Sequence, residues 1–333
     1  MRRRKILIAI AFLGTILLIC LAISWFSDPF RHFGSSDIPA LVTPSGNIQA
    51  LTFGGGNKEQ GQITFGSKEP VQPSTRVSKP FNILVLGIDA RADELSRSDV
   101  IMVVHVIPDL REATIVSVPR DTRVYIEGVG YTKINHAHYL GEQRGGSREG
   151  TEEVLQTVSN FLQIPIHYYV KTNFSGFMNL INSLDGVEVK LDQDVLLKGT
   201  HKQLSAGVQH INGEEALKLI RERWAFSNGD FGRQNEQFKI LRSVAQRLLA
   251  PDQIWKTIAM LPDLKKDLVD TNFTDTDLLS LVRLFKGVDS EDLKYIQIPG
   301  KSGYEEDPLL NKKLYYWLPD SEEVQKIMTI NFQ

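Results

Sequence analysis

Phe81-Asn82-Ile83-Leu84-Val85-Leu86-Gly87-Ile88 is a β-favouring run, apolar throughout but for Asn82. A run of this kind reads as a strand buried on both faces, because a strand with one wet side alternates apolar and polar residues. Residues 100–107 and 113–118 read as two more strands, joined through a turn that begins Pro108-Asp109. Helical spacing then takes over. Val154, Leu155, Val158, Phe161 and Leu162 recur three or four apart, and Pro165 ends the segment. Residues 168–171 and 187–191 read as strands, and residues 174–184 between them as a helix with Asn173 at its N-cap and Gly186 past its end. Asn212 is placed to cap a helix reaching Ile220, and residues 231–249 form a long one. Strands alternating with helices predict a layered α/β/α domain with a central sheet over residues 81–250. Residues 251–333 carry two or three further helical segments and a short strand, Tyr295-Ile296-Gln297-Ile298, and read as a helical extension.

Upstream of that domain the sequence changes character twice. Arg2, Arg3, Arg4 and Lys5 precede an uncharged run from residue 6 to residue 26. At 1.5 Å per residue that run makes a helix of roughly 31 Å, the thickness of a bilayer's hydrocarbon core. The four cations place the N-terminus in the cytoplasm and the body outside. A cleavable signal has a shorter apolar stretch and a small-residue exit. Here the run ends Ile23-Ser24-Trp25-Phe26, an interfacial aromatic anchor. Residues 27–80 are rich in Gly, Ser, Pro, Gln and Asn, without sustained periodicity, and read as an external linker. Gly54-Gly55-Gly56 within it lacks the Gly-Lys-Ser/Thr of a phosphate-binding loop.

Composition excludes several classes. The chain has 333 residues, 38 Lys and Arg against 40 Asp and Glu, and a net charge of −2, so nothing draws it as a whole to nucleic acid. Its one cysteine, Cys20, permits neither an internal disulfide nor a cysteine zinc site. No Gly-x-Ser-x-Gly elbow supports a serine nucleophile.

The chemistry concentrates at strand ends and in one loop. Asp89 follows the first strand, with Arg91 beyond it. Arg97-Ser98-Asp99 opens the second, and Arg120-Asp121 closes the third. Two carboxylates without His or Cys partners suit Mg²⁺, which keeps waters and phosphate oxygens in its shell. Guanidiniums beside them suit a diphosphate, because the planar fork binds two oxygens at once. A second cluster reads Arg221-Glu222-Arg223, then Asp230, Arg233 and Gln237. Asp230 is placed to cap the next helix, with Arg233 and Gln237 one turn apart on one face. Lys133, Asn135, His136 and His138 make a polar loop. Without a third ligand at metal spacing the histidines are weak zinc candidates.

The segments Leu86-Gly87-Ile88-Asp89-Ala90-Arg91, Arg97-Ser98-Asp99, Val118-Pro119-Arg120-Asp121-Thr122 and Lys133-Ile134-Asn135 resemble the LytR-CpsA-Psr family. So do Tyr169-Val170-Lys171-Thr172-Asn173-Phe174, Leu184-Asp185-Gly186-Val187, Arg221-Glu222-Arg223 and Gly229-Asp230-Phe231-Gly232-Arg233-Gln234 with Gln237. Departures from the family's common pattern at Ile88, Ala90, Val100 and Asn235 remove no charged group.

The resemblance implies an extracytoplasmic phosphotransferase. It would move a glycopolymer, such as teichoic acid or capsule, from polyprenyl diphosphate onto peptidoglycan through a phosphodiester. It assigns Asp89 and Asp99 to Mg²⁺ (or Mn²⁺). Arg97, Arg120, Arg221, Arg223 and Arg233 would bind the diphosphate, supported by Gln237 and Asp230, with Arg120, Asp121 and Arg97 at the chemistry. Its partners would be the lipid-linked glycopolymer, peptidoglycan and the membrane, without nucleic acid. Two alternatives use the same site: a non-catalytic module that binds the lipid diphosphate or glycopolymer, and a polyprenyl-diphosphate hydrolase. A DNA-binding regulator is disfavoured by the external topology and the lack of a helix-turn-helix pattern.

Overall fold

The run 81–88 is a strand, and it lies inside a six-stranded mixed sheet. The computed structural model describes residues 29–33, 38–45, 78–89, 95–197, 202–222, 230–289 and 293–332. Residues 6–26, expected to cross the membrane, lie outside these. Among the described residues no helix is long and apolar enough to span a bilayer.

In chain order the elements begin with α1 (Pro29–His32), β1 (Phe81–Ile88), β2 (Ser98–Ile107) and β3 (Glu112–Ser117). A hairpin of β4 (Arg123–Ile126) and β5 (Gly130–Lys133) leads into α2 (His136–Gly145) and α3 (Ser147–Leu162). Next come β6 (Tyr168–Asn173), α4 (Phe174–Ser183), β7 (Val187–Leu191), β8 (Val195–Leu196), β9 (Gln203–Leu204) and β10 (Gly207–Ile211). Then follow α5 (Gly213–Arg221), α6 (Asp230–Leu249), α7 (Ile254–Lys266), β11 (Asp270–Thr271) and α8 (Asp275–Leu284). The chain closes with β12 (Lys294–Gln297), a hairpin of β13 (Gly300–Asp307) and β14 (Lys312–Pro319), and α9 (Ser321–Asn331).

The sheet order is β11-β6-β1-β2-β3-β12, with β1/β6 and β3/β12 parallel and the other pairs antiparallel. The two-step alternation of strands sorts its apolar residues onto two buried faces. Leu84, Leu86, Ile101, Val103 and Val116 pack with Val154, Val158 and Phe161 of α3 and Val324 and Met328 of α9. Phe81 and Ile83 face the opposite way, toward Phe273 and Leu284, while Met102 and Ile115 meet Phe238 of α6. Helices on both faces make the expected α/β/α layering. Each large apolar side chain so buried contributes roughly 1.5–3 kcal/mol. Beside the sheet, α4, α5, α6 and β7 enclose a separate core that includes Ile181, Val187, Leu219 and Ile240.

Three expectations are corrected. Part of the supposed linker is docked: the Phe33 ring is fully buried and stacks on Phe81 at 4.7 Å, and Val42 bridges to Ile166. Apolar residues in a Pro- and Gly-rich stretch found an apolar cluster to join. Residues 251–333 are more than a helical extension, because β11 and β12 extend both edges of the central sheet and β13–β14 form a hairpin. The polar run after Lys133 is mostly helix: His136 and His138 lie on α2, both buried. That helix approaches α3 closely, since a Cβ on Gly141 would fall 2.3 Å from the Glu149 carbonyl oxygen. Gly141→Ala is therefore expected to lower unfolding stability by about 2 kcal/mol, read from the urea midpoint.

Candidate functional site

Asp99 owes its position to a bulge. Gly87 pairs with Val100, but Ile88 pairs with Ser98, so Asp99 is the extra residue of β2. An unpaired bulge residue is re-aimed out of the ladder, here toward the loop after β3. Asp99 Oδ1 accepts a hydrogen bond from Arg120 Nη1 at 2.5 Å. The chain re-forms contact just past the bulge, where the Asp89 backbone N–H donates to the Arg97 carbonyl at 3.0 Å. Asp89 and Arg97 thus sit side by side at the same end of the sheet.

The loop carrying Arg120 is tightly bonded. Val118 donates its N–H to the Ile101 carbonyl, and the Thr122 N–H and hydroxyl both donate to the Pro119 carbonyl. Ile134 N–H donates to Thr122 O, and Asn135 N–H to Arg120 O, which brings residues 133–135 alongside. Lys133 Nζ then donates to Asp121 Oδ1 at 2.6 Å, while Asp121 Oδ2 lies 3.6 Å from Arg120 Nε. Arg120 is consequently held between two carboxylates, Asp99 and Asp121, and Asp121 in turn between two cations. Asp121 orients Arg120 rather than standing free. Arg97 is exposed, and its guanidinium lies 5.7 Å from the centre of the Tyr139 ring, on α2. Charged, accessible and adjacent to this cluster, it can turn toward an arriving anion.

The second cluster reaches the first through α6. Ser117 at the end of β3 donates its hydroxyl to Gln234 Oε1 at 2.8 Å, three residues before Arg120. One turn along the helix, Gln237 Nε2 donates to the Ile220 carbonyl at 3.4 Å, next to Arg221. The first turns of α6 therefore join the Arg120 strand to the end of α5. Arg221 is exposed at that end, with its guanidinium 4.6 Å from the centre of the Phe174 ring on α4. Arg233 and Gln237 are buried at the junction. Asp230 opens α6, but its side chain and the whole of Arg223 lie outside the described residues. The end of α5 is shaped by a capping box: Asn212 Oδ1 accepts from Glu215 N–H, and the Glu215 carboxylate accepts from Asn212 N–H.

Among the described residues, no three His, Cys, Asp or Glu side chains gather as a metal shell. Asp89 and Asp99 at one sheet end still fit a hard cation that takes only one or two protein carboxylates and fills its shell with water and phosphate oxygens. The histidines do other work. Burial pushes His136 down to about 4, net of an opposing pull from Asp307. Its Nδ1 meets Thr132 Oγ1 at 2.8 Å. Thr132 gives its one hydroxyl proton to Asp307 at 2.8 Å, so Nδ1 of neutral His136 carries the proton. Burial, then the Lys171 charge, pushes His138 down, and its Nδ1 meets the Ser96 hydroxyl at 3.1 Å.

Sequence reasoning missed what supports the site from below. Asp307, almost fully buried, accepts from the Tyr316 hydroxyl at 2.5 Å, from Thr132, and from the backbone of Leu309 and Leu310. Trp317 N–H donates to the Asp121 carbonyl at 2.9 Å. The C-terminal hairpin is thereby bonded to both sides of the Arg120 loop. Its tie to the Arg120 loop has no local signal, since Thr132 lies 175 residues away. Lys171 ends the strand expected over residues 168–171, and sequence alone assigns it no role of its own. It is buried, and its Nζ donates to Thr151 Oγ1 and to Ser147 Oγ and O, tying β6 to the first turn of α3.

Fold and site together define a mixed-sheet α/β domain with an arginine–carboxylate cluster at the strand ends. Residues 52–333 match the model of the LytR_cpsA_psr family, and the chain belongs to that family. It is 34% identical over 259 residues to the polyisoprenyl-teichoic acid–peptidoglycan teichoic acid transferase TagV of Bacillus subtilis, a match covering 75% of this chain and 63% of TagV. It is also 34% identical over 247 residues to the transferase TagU of Bacillus anthracis, covering 73% of this chain and 76% of TagU. The crystal structure of B. subtilis TagV superposes with a TM-score of 0.64, covering 76% of this chain and 96% of that one. TagT bound to LIIa-WTA gives a TM-score of 0.60 at 27% identity, covering 75% of this chain and 89% of that one.

Proposed function

We propose that this chain is an extracytoplasmic phosphotransferase, anchored by residues 6–26, that moves a polyprenyl-diphosphate-linked glycopolymer onto peptidoglycan. The observation that carries the reading is the clamp on Arg120, held by Asp99 and Asp121 and steadied by Lys133 at the meeting of three strand ends. A hydroxyl oxygen of the acceptor attacks the phosphorus bearing the polymer. The bond from that phosphorus to the bridging oxygen breaks, polyprenyl phosphate departs with the bonding pair, and the hydroxyl's proton ends on that phosphate or in water. Such a reaction asks for fixed positive charge on the equatorial and leaving oxygens. In this reading Arg120 and Arg97 take the reacting phosphate, and Arg221, Arg223 and Arg233, with Gln237 and Asp230, take the rest of the diphosphate. Asp89 and Asp99 would hold Mg²⁺ or Mn²⁺, which when bound neutralises diphosphate charge. The names of TagV and TagU favour teichoic acid as the cargo.

The test uses the purified full-length chain with a polyprenyl-diphosphate-linked teichoic acid and insoluble peptidoglycan. The expected product is polymer that sediments with peptidoglycan and is released by mild acid, which cleaves the linking phosphodiester. Free polymer alone would mark a hydrolase. Donor bound but never cleaved would mark a binding module.

A further inference from the structure

A transferase needs a second substrate site, and the cluster above accounts only for the donor diphosphate. A cavity of about 620 Å³ lies between β4 and the C-terminal hairpin, within the roughly 300–1,000 Å³ of ligand sites. Arg123, Lys301, Glu305, Leu318, Pro299 and Asp320 are among its walls. Lys301 and Glu305 share one face of β13. Gly303, between them on that face, offers no side chain to fill the middle, and Leu318 from β14 lies across it.

Side chains run without a break from this cavity to the Arg120 clamp. Arg123 is opposite Lys133 in the β4–β5 register. The Arg123 guanidinium and the Lys133 ammonium each lie 5.8 Å from the centre of the Tyr316 ring. Lys133 holds Asp121, which touches Arg120. One wall of the cavity, Arg123, is thus two residues along the chain from Asp121, and the strand behind it is bonded to the Asp121 carbonyl through the Trp317 backbone N–H.

Resting on the transferase reading, we infer that this cavity is the acceptor subsite and binds the glycan of peptidoglycan. Two cations and two carboxylates balance in its walls, which suits a polar and sparsely charged sugar chain better than a polyphosphate. Glu305 and Asp320 accept hydrogen bonds from sugar hydroxyl and amide groups. Arg123 and Lys301 attract the isolated carboxylates that muramic acid and its stem peptide carry. Leu318 and Pro299 give apolar surface to the ring faces of the sugars.

The experiment measures transfer by the full-length chain at varied concentrations of soluble peptidoglycan tetrasaccharide and, separately, of donor. Lys301→Ala and Glu305→Gln change partly or fully exposed side chains. Each is expected to raise the acceptor KM about tenfold, the loss of one charge-assisted contact, with the donor KM moving less than twofold. Lys313→Ala, on the opposite face of the same hairpin, serves as the control and keeps both constants. Unchanged acceptor KM in both cavity variants, with the wild type transferring normally, overturns the acceptor subsite and leaves the transferase reading standing. A wild type that cleaves donor without ever modifying the tetrasaccharide or peptidoglycan overturns both.

Discussion

Arg120→Ala is expected to lower transfer about a thousandfold, the cost of removing a preorganised charge aimed at a developing oxyanion. The side chain contacts Asp99 and Asp121 and no apolar core residue is disturbed, so the fold should hold. The loss should appear in kcat more than in donor KM, because on the proposed reading Arg97 and Arg221 remain to attract the diphosphate. Arg120→Lys is expected to recover only part of the rate, since an ammonium cannot bridge Asp99 and a phosphate oxygen with a planar fork. Product on sedimented peptidoglycan, measured under single-turnover conditions, checks both variants. Wild-type rates in Arg120→Ala would remove this arginine from the chemistry.

Asp307→Ala is expected to cost about 3 kcal/mol of unfolding free energy, because it strands buried donors that Asp307 now satisfies. The buried donors are the Tyr316 and Thr132 hydroxyls; the backbone N–H groups of Leu309 and Leu310, in an exposed turn, lose the same acceptor. Activity should fall with it, since Thr132 neighbours Lys133, which holds Asp121. The acid limb supplies a second check. Burial by itself would raise the Asp307 pKa, but hydrogen bonds from Tyr316, Thr132 and the Leu310 N–H hold the carboxyl below its ordinary value. A depressed folded pKa means that the stabilisation is complete above the unfolded pKa of about 4. It is lost as pH falls through the folded value. The stability gap between wild type and Asp307→Ala, from urea unfolding, should therefore be full at pH 7 and shrink below pH 4. A gap independent of pH would assign the loss to packing alone.

Much of the central layer was legible because its signal is local. The run 81–88 is apolar at both strand faces, and in the structure both faces are covered by helices. Asn173 caps α4 as its position implied, its Oδ1 accepting from Gly176 N–H at 2.9 Å. The candidate cations and carboxylates were found because charged residues at the ends of apolar strands have few other reasons to be there. The support beneath them was hidden. The β4–β5 and β13–β14 hairpins are short or carry mixed polarity, β11 and β12 have two and four residues, and α2 buries histidines where an amphipathic helix would bury leucines.

Residue identity alone settled that a buried strand would end at Asp89, that Arg120-Asp121 would follow another, and that helices would alternate with strands, since period and polarity act over neighbouring residues. Tertiary structure decided which of those charges meet. A one-residue bulge aims Asp99 at Arg120, α6 joins Ser117 to Ile220, and a hairpin near the C-terminus bonds the Asp121 carbonyl. Each depends on a contact between segments far apart in the chain, whose pairing follows from how the layers pack and from no pattern within either segment.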